Sequence, residues 1–402
     1  MTWVTDWPPL QVDLDACVTC GLCLPVCPTF RLTGDESASP RGRLTAIAAV
    51  AGGVIPVDGR FDEITSFCLQ CRACETACPS LVPYGDIIEA AREEAVQQVR
   101  HRGRRMERLA IGRILGWSVI MRLASIGAAL LQRMRLLRRI PRIGEQARGL
   151  RPIPLRPPSF RGGSWGSGTR TVTLFTGCVA DVWFTGVHQA TVEVLGAAGY
   201  RVDAPPDQTC CGALAAHAGL GHDARRYAAR NIEALTGSDV IAVDVAGCGA
   251  HLKGYGRHGE AGAAIAACTY DITELIASAI AAGDLPTLEP TGKTVAIVDP
   301  CHLEHGQRIT DQPRRIIEAA GFTVVDADRG GLCCGAAGLY QLDHPDTGAT
   351  LGRRKAAAVE DTAAGIVAVA NAGCEMQLRR FLDEGFDIVH PVELYAAALR
   401  TR

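Results

Sequence analysis

Two short runs constrain this chain more than any other feature: CVTCGLCLPVCP at 17–28 and CLQCRACETACP at 68–79, both of the form C-x2-C-x2-C-x3-C-P. Three thiolates at this spacing wrap one corner of a cuboidal iron–sulfur cluster, while the fourth, turned away ahead of the proline, reaches the neighbouring cluster. The spacing predicts one [4Fe–4S] cluster on Cys17, Cys20, Cys23 and Cys78 and a second on Cys27, Cys68, Cys71 and Cys74. Zinc also takes cysteine-rich sequences, but zinc motifs seldom set four cysteines at 2-2-3 spacing twice with a proline after each.

Seventeen cysteines in 402 residues would suit a disulfide scaffold, were they not gathered in C-x-x-C groups and adjacent pairs. The first ten residues include Trp3, Asp6 and two prolines and lack the basic start and apolar run of a secretory signal. The expected compartment is therefore the reducing cytoplasm, where thiolates stay available to metal. Residues 1–95 offer little apolar surface between the cysteine groups, so metal is expected to help hold them together.

From residue 171 the sequence repeats itself. Val172–Leu174 leading to Cys178 returns as Val295–Val298 leading to Cys301, Cys210-Cys211-Gly212 returns as Cys333-Cys334-Gly335, and Val240–Val245 leading to Cys248 returns as Ile366–Ala370 leading to Cys374. The offsets are 123, 123 and 126 residues, which marks a duplication. Short β-branched runs alternate with alanine-rich helical stretches, so each copy reads as an α/β unit around a parallel sheet, the two related by a pseudo-twofold axis. In such sheets functional groups collect beyond the carboxyl ends of the strands.

Two further candidate sites follow, Cys178, Cys210, Cys211 and Cys248 in the first copy and Cys301, Cys333, Cys334 and Cys374 in the second. The glycine after each pair permits positive φ or close approach to a metal. An iron–sulfur cluster, zinc, a redox disulfide or plain buried thiols remain open for them, and Cys268, which has no counterpart, reads as a core residue. His251 and His302 stand close to motif cysteines, the first a candidate ligand and the second a candidate proton carrier.

A formal net charge of −2 hides an asymmetry: Arg100 to Arg161 include sixteen arginines and no lysine, against Glu107 and Glu145 alone. Residues 96–150 read as long helices and 151–170 as a Pro-, Gly- and Ser-rich linker. Ile114 to Leu131 is apolar apart from Ser118, Arg122 and Ser125. A membrane span there would put Arg122 at mid-depth, at a cost of about 2.5–3.5 kcal/mol. An interfacial helix with arginines on anionic lipid, or a core or subunit-interface helix, suits the pattern better. No nucleic-acid reading motif accompanies the basic stretch.

The stretches CVTCGLCLPVCPTF, SPRGRL, CLQCRACETACPS, AGCGAHLKGYG, LCCGAAGLYQLDHPD and ANAGCEMQ closely resemble the iron–sulfur subunits of bacterial glycolate oxidase. These stand within a wider cysteine-pair group that includes iron–sulfur subunits of lactate utilisation, anaerobic glycerol-3-phosphate dehydrogenase and heterodisulfide reductase. The resemblance implies a separate FAD-containing subunit that oxidises a 2-hydroxy acid, glycolate to glyoxylate, with this chain passing the electrons toward quinone at the inner face of the plasma membrane. Heterodisulfide-reductase relatives end each repeat in C-x-x-C, whereas His251 and Gln377 stand here, which weighs against thiol–disulfide turnover on this chain. No flavin or nicotinamide site is evident, because the one glycine-rich run, GGSWGSG at 162–168, follows no strand and lacks a phosphate-binding lysine. No residue is assigned as a catalytic acid or base.

The expected architecture is α+β and multi-domain: a helical two-[4Fe–4S] ferredoxin-like domain over 1–95, a basic helical segment and linker over 96–170, and a duplicated α/β cysteine-pair domain over 171–290 and 291–402.

Overall fold

In the computed structural model the described residues are 3–99, 110–140, 143–328 and 331–401. The carboxyl-terminal half holds two sheets. The first contains β1 (Ser164–Trp165), β2 (Arg170–Phe175), β3 (Tyr200–Asp203), β4 (Ile241–Val243) and β5 (Thr269–Asp271) in the order β1-β3-β2-β4-β5, parallel except for β1. The second contains β6 (Thr294–Ile297), β7 (Thr323–Asp326), β8 (Ile366–Ala368) and β9 (Asp387–Val389), all parallel in the order β7-β6-β8-β9. Leaving out β1, the two orders are the same, so the repeat in sequence is a repeat in topology.

The copies also trade helices. Helix Thr185–Ala197 of the first packs on Pro391–Arg400 of the second, and its counterpart Asp311–Ala319 packs on Ile272–Ala282 of the first. This reciprocity is what a pseudo-twofold axis requires. It joins Val194, Leu195, Ile272 and Ile276 to Ile316, Val392 and Tyr395 in one buried core shared by both copies. The exchanged helices Ile272–Ala282 and Pro391–Arg400 both begin with a capping box, Asp271 with Glu274 and His390 with Glu393, which fixes where each leaves its strand.

The amino-terminal residues are helical and better packed than the sequence suggests. Leu14, Leu44, Ile47, Val50, Phe61, Ile87, Ile88, Ala91 and Ala95 form a buried core. The expectation of scarce apolar surface is thus corrected: helix Tyr84–Gln98 turns Ile87, Ile88, Ala91 and Ala95 inward at helical spacing onto Ile47 and Val50 of helix Pro40–Ala51.

The middle segment departs from the reading of long helices. Of the described residues there, a π-turn spans Ala110–Ile114 and one extended helix spans Ser118–Arg133; short 3-10 turns cover Leu137–Arg139 and Gln146–Gly149. Residues 100–109 lie outside the description. The helix buries Met121, Ser125 and Ala129, and Ser125 Oγ accepts a 3.0 Å hydrogen bond from Trp183 Nε1. Its other side leaves Val119, Leu123, Leu130 and Met134 exposed. Among the described residues no helix is long and apolar enough to cross a membrane.

Nor is 151–170 a free linker. Ile153 and Phe160 are buried, Arg151 is clamped between Glu375 and Glu393, and β1 adds an antiparallel edge to the first sheet. Two apolar anchors and a doubly paired, partly buried guanidinium outweigh the proline and glycine content.

A shared core predicts that Ile276→Ala and Ile316→Ala, in different copies, each lower stability by about 2–5 kcal/mol, as large-to-small core changes do. Urea unfolding would show one transition shifted for the whole carboxyl-terminal half; two transitions, with only the mutated copy affected, would contradict the shared core.

Candidate metal centres

Wrapping three thiolates round one point demands left-handed backbone on both sides of the middle cysteine. Thr19 (φ 54°) and Gly21 (φ 84°) flank Cys20, and Gln70 (φ 53°) and Arg72 (φ 63°) flank Cys71 in the same way. Three of these four are not glycine, a costly conformation held by its surroundings.

The loops shape two cavities of about 40 and 20 Å³. Cys17, Cys20, Cys23 and Cys78 line the first, and Cys27, Cys68 and Cys71 line the second; Cys74 touches both. Cys78 thus faces the cavity of the other motif, and so does Cys27. Burial pushes the thiols of Cys71 and Cys74 well above the ordinary range, so binding of a metal centre there must displace protons.

Arg43 is a residue the sequence reading passed over. It is fully buried, lines the second cavity, and donates to Ile64 O at 2.9 Å and to Thr29 Oγ1 at 3.2 Å. Thr29 Oγ1 in turn lies 3.3 Å from Cys27 Sγ, and Tyr84 donates to Cys68 Sγ at 3.6 Å. Burial penalises the guanidinium, yet the partial charges of Tyr84, Cys68 and Cys27 around it raise its affinity for the proton. The signal was present in SPRGRL, where Ser39 caps the helix, Pro40 opens it, and Arg43 falls one turn in on the buried face.

In each repeat the four cysteines follow the ends of three adjacent strands. Cys178, Cys210-Cys211 and Cys248 come after β2, β3 and β4; Cys301, Cys333-Cys334 and Cys374 come after β6, β7 and β8. Gly212 and Gly335 take φ of 97° and 81°, the first of the two options the sequence left open, and a side chain at Gly335 would meet Gly348 O at 2.6 Å. Cys178 Sγ lies 3.4 Å from Cys210 Sγ, and Cys334 Sγ lies 3.1 Å from Cys374 Sγ. Both quartets run as chains of neighbouring thiols, and among the described residues no three Cys, His, Asp or Glu side chains converge on a single-ion position. Cys268 packs against the core of the first copy.

The two quartets differ in their electrostatics. All four thiols of the first are pushed up. In the second, a hydrogen bond from Cys333 and then the charge of His302 hold Cys301 low, while Cys333 and Cys374, with help from the charge of Lys355, hold Cys334 low. Lys355 is itself buried and bonded to Asp328 at 2.7 Å. The second quartet also touches the amino-terminal motifs: Leu69, Cys71, Cys333, Tyr340 and Leu351 form one buried group with Cys301 against it.

His251 and His302 meet in a cavity of about 100 Å³ with His217, Gln70, Arg72 and Arg257. The His217 and His302 rings stack at 5.3 Å, a partner for which nothing in the sequence around His217 gave a signal. Ile111 packs with Cys178 and Cys210 of the first quartet, Leu115 lies against the same group, and Tyr227 donates to the carbonyls of Ile111 and Gly112.

These features define a class: an iron–sulfur protein with a dicluster domain and a duplicated cysteine-pair domain. The family described as 4Fe-4S dicluster domain matches residues 13–82, and the Cysteine-rich domain family matches 172–253 and again 295–379. The probable glycolate oxidase iron-sulfur subunit of Bacillus subtilis is 32% identical over 91% of this chain and 88% of its own length, and the glycolate oxidase iron-sulfur subunit of Escherichia coli is 32% identical over 92% and 91%. Lactate utilization protein A of Bacillus licheniformis is 28% identical over 52% of this chain. The chain belongs to the family of glycolate oxidase iron–sulfur subunits.

Behind the first quartet, His188 Nδ1 donates to Asp244 Oδ2 at 2.6 Å and Nε2 to Thr176 O at 3.1 Å. With a carboxylate and a carbonyl as acceptors, both ring nitrogens carry protons. Burial alone would lower the pKa of His188, but the charge and hydrogen bond of Asp244 outweigh it and raise the value; the same contact draws Asp244 down against its burial. The His188 contribution is complete below its unfolded value of about 6.5 and fades as pH rises through the raised one; that of Asp244 is present above about 4 and fades as pH falls. Urea midpoints should therefore show a gap between wild type and His188→Gln that is widest at pH about 4–6.5 and narrows as pH rises through the raised His188 value. A gap independent of pH would contradict the ion pair.

Proposed function

We propose that this chain is the electron-transfer subunit of a glycolate-oxidising complex, taking electrons from an FAD-containing subunit and passing them toward quinone. The observation that carries the reading is the sorting of the eight amino-terminal cysteines into two adjoining cavities, in a chain one-third identical along nine-tenths of its length to named glycolate oxidase iron-sulfur subunits. Cys17, Cys20, Cys23 and Cys78 would hold one [4Fe–4S] cluster and Cys27, Cys68, Cys71 and Cys74 the other, each supplying one-electron exchange when bound. The second cysteine-pair quartet, beside Cys71 and with two thiols held low, is the better placed of the two repeats for a further metal centre. The chain divides into four units, 1–95, 96–170, 171–290 and 291–402, and the residues that would hold these groups fall in the first, third and fourth.

The role of Arg43 in this reading is electrostatic. A fixed cation against Cys27 and Cys68 favours the reduced, more negative state of a cluster in that cavity. The exposed stripe of Val119, Leu123, Leu130 and Met134, next to exposed Arg133, Arg135, Arg138 and Arg139, suits an anionic membrane surface and supports a peripheral location on the cytoplasmic face of the plasma membrane.

Two experiments test the proposal. In the complex purified with its flavin subunit, glycolate should bleach the visible iron–sulfur absorbance faster than lactate or glycerol 3-phosphate, and the isolated chain should not respond; the reverse order would assign the chain to a sibling dehydrogenase. Arg43→Met should leave the iron content intact and lower the midpoint potential of one cluster by about 60 mV, equivalent to about 1.4 kcal/mol for one electron. Unchanged potentials for both clusters would remove the role given to Arg43.

A further inference from the structure

Surface access separates the four cysteine groups. The group Cys27, Cys68, Cys71 and Cys74 is buried throughout, whereas Cys20 of the first cavity is exposed, alone among the seventeen cysteines, and Cys17, Cys23 and Cys78 are half-buried. The mouth of that cavity has an apolar collar. Val18 and Leu22 line it and are 66% and 56% exposed; Leu81, between the lining residues Ser80 and Val82, is 71% exposed. Neither 17–23 nor 78–83 contains a charged residue.

Leu81 adds an independent observation. Its φ is 53°, a backbone region that asparagine or glycine enters easily and a bulky side chain does not. An exposed leucine there is unfavourable twice over for the chain by itself, in hydration and in backbone strain. Covering by a partner offsets the first of these costs.

We propose that Val18, Leu22 and Leu81 form the seat of the FAD-bearing subunit, placed around the cysteine group that a second protein can approach most closely. The assignment rests on the reading of the amino-terminal cysteines as cluster ligands and of the complex as containing a flavin subunit. A lipid surface is the poorer occupant, because the one arginine lining the cavity, Arg41, is ion-paired with Glu36, whereas several exposed arginines flank the apolar stripe of helix Ser118–Arg133. An apolar patch whose one neighbouring cation is already paired suits the desolvated centre of a protein interface instead. The seat also gives the chain a direction. The partner meets the group containing Cys20, while the buried group containing Cys71 faces inward to Cys301 and Cys333 of the second repeat.

The test uses the full-length chain, tagged and purified anaerobically from its own host, with FAD and iron measured per chain by extraction. Val18→Glu and Leu22→Glu should retain wild-type iron and EPR signals and lose co-purified FAD about tenfold or more, the equivalent of at least about 1.4 kcal/mol of binding. Because an acidic residue beside Cys17 or Cys23 could disturb cluster assembly, Leu81→Asn serves as the second variant: asparagine suits the backbone, so the chain should fold at least as well while FAD still falls. Val54→Glu, 78% exposed elsewhere in the amino-terminal part, is the control and should keep its FAD. Full FAD retention in Leu81→Asn and Leu22→Glu would overturn the seat. Wild-type protein with its iron complete and no FAD would overturn the flavin-partner reading, and the seat with it.

Discussion

The arrangement depends on a crossing. Cys78 lies at the end of the second ferredoxin-type motif and faces the cavity of the first, while Cys27 lies at the end of the first and faces the cavity of the second. Neither cavity can be completed without the other, so residues 17–28 and 68–79 must fold against each other. The crossing also fixes the inner face of the module, where Leu69, Cys71 and Ala73 become the surface that meets Cys333 and Tyr340. Arg92 extends the same attachment to the first repeat, bonding the carbonyls of Thr65, Ser66 and Cys68 on one side and His217 on the other. Ion pairs of Glu93 with Arg225 and Glu89 with Arg257, both partly buried, add to it.

Duplication has produced two quartets alike in topology and unlike in charge. The same three strand ends deliver the cysteines in both copies, and the same glycine conformation follows each pair. The surroundings have diverged: in the second quartet hydrogen bonds among the cysteines, aided by the charges of His302 and Lys355, hold Cys301 and Cys334 low, while in the first Ile111 packs on Cys178 and Cys210. The quartet with two thiols held low is also the one that adjoins the amino-terminal module.

Much of this was legible in the sequence because the constraints are local or periodic. Four cysteines at fixed spacing specify a loop wherever they occur, and a repeat offset of 123 residues announces a repeated fold. The parallel sheets followed from β-branched runs set between helical stretches, and the positive φ of Gly212 and Gly335 from their place after the pairs. What escaped was long-range. Phe160 and Arg151 sit in a stretch whose proline and glycine content reads as linker, and only the surfaces they meet, Trp165 and His188 for one and Glu375 and Glu393 for the other, make them structural. The cap at Ser39 sets Arg43 one turn into its helix, but only the fold shows that this turn buries it beside two cysteines. The stack of His217 on His302 joins residues 85 positions apart, and no spacing rule connects them.

The central claim is that the crossed cavities hold two adjacent clusters. Iron, acid-labile sulfide and zinc per chain on anaerobically purified protein, with EPR of the dithionite-reduced sample, test it directly. The account predicts at least about eight iron and a matching amount of sulfide, since each cubane carries about four of each, with signals broadened by coupling between two neighbouring centres. Zinc with little iron, under strict exclusion of oxygen, would contradict it.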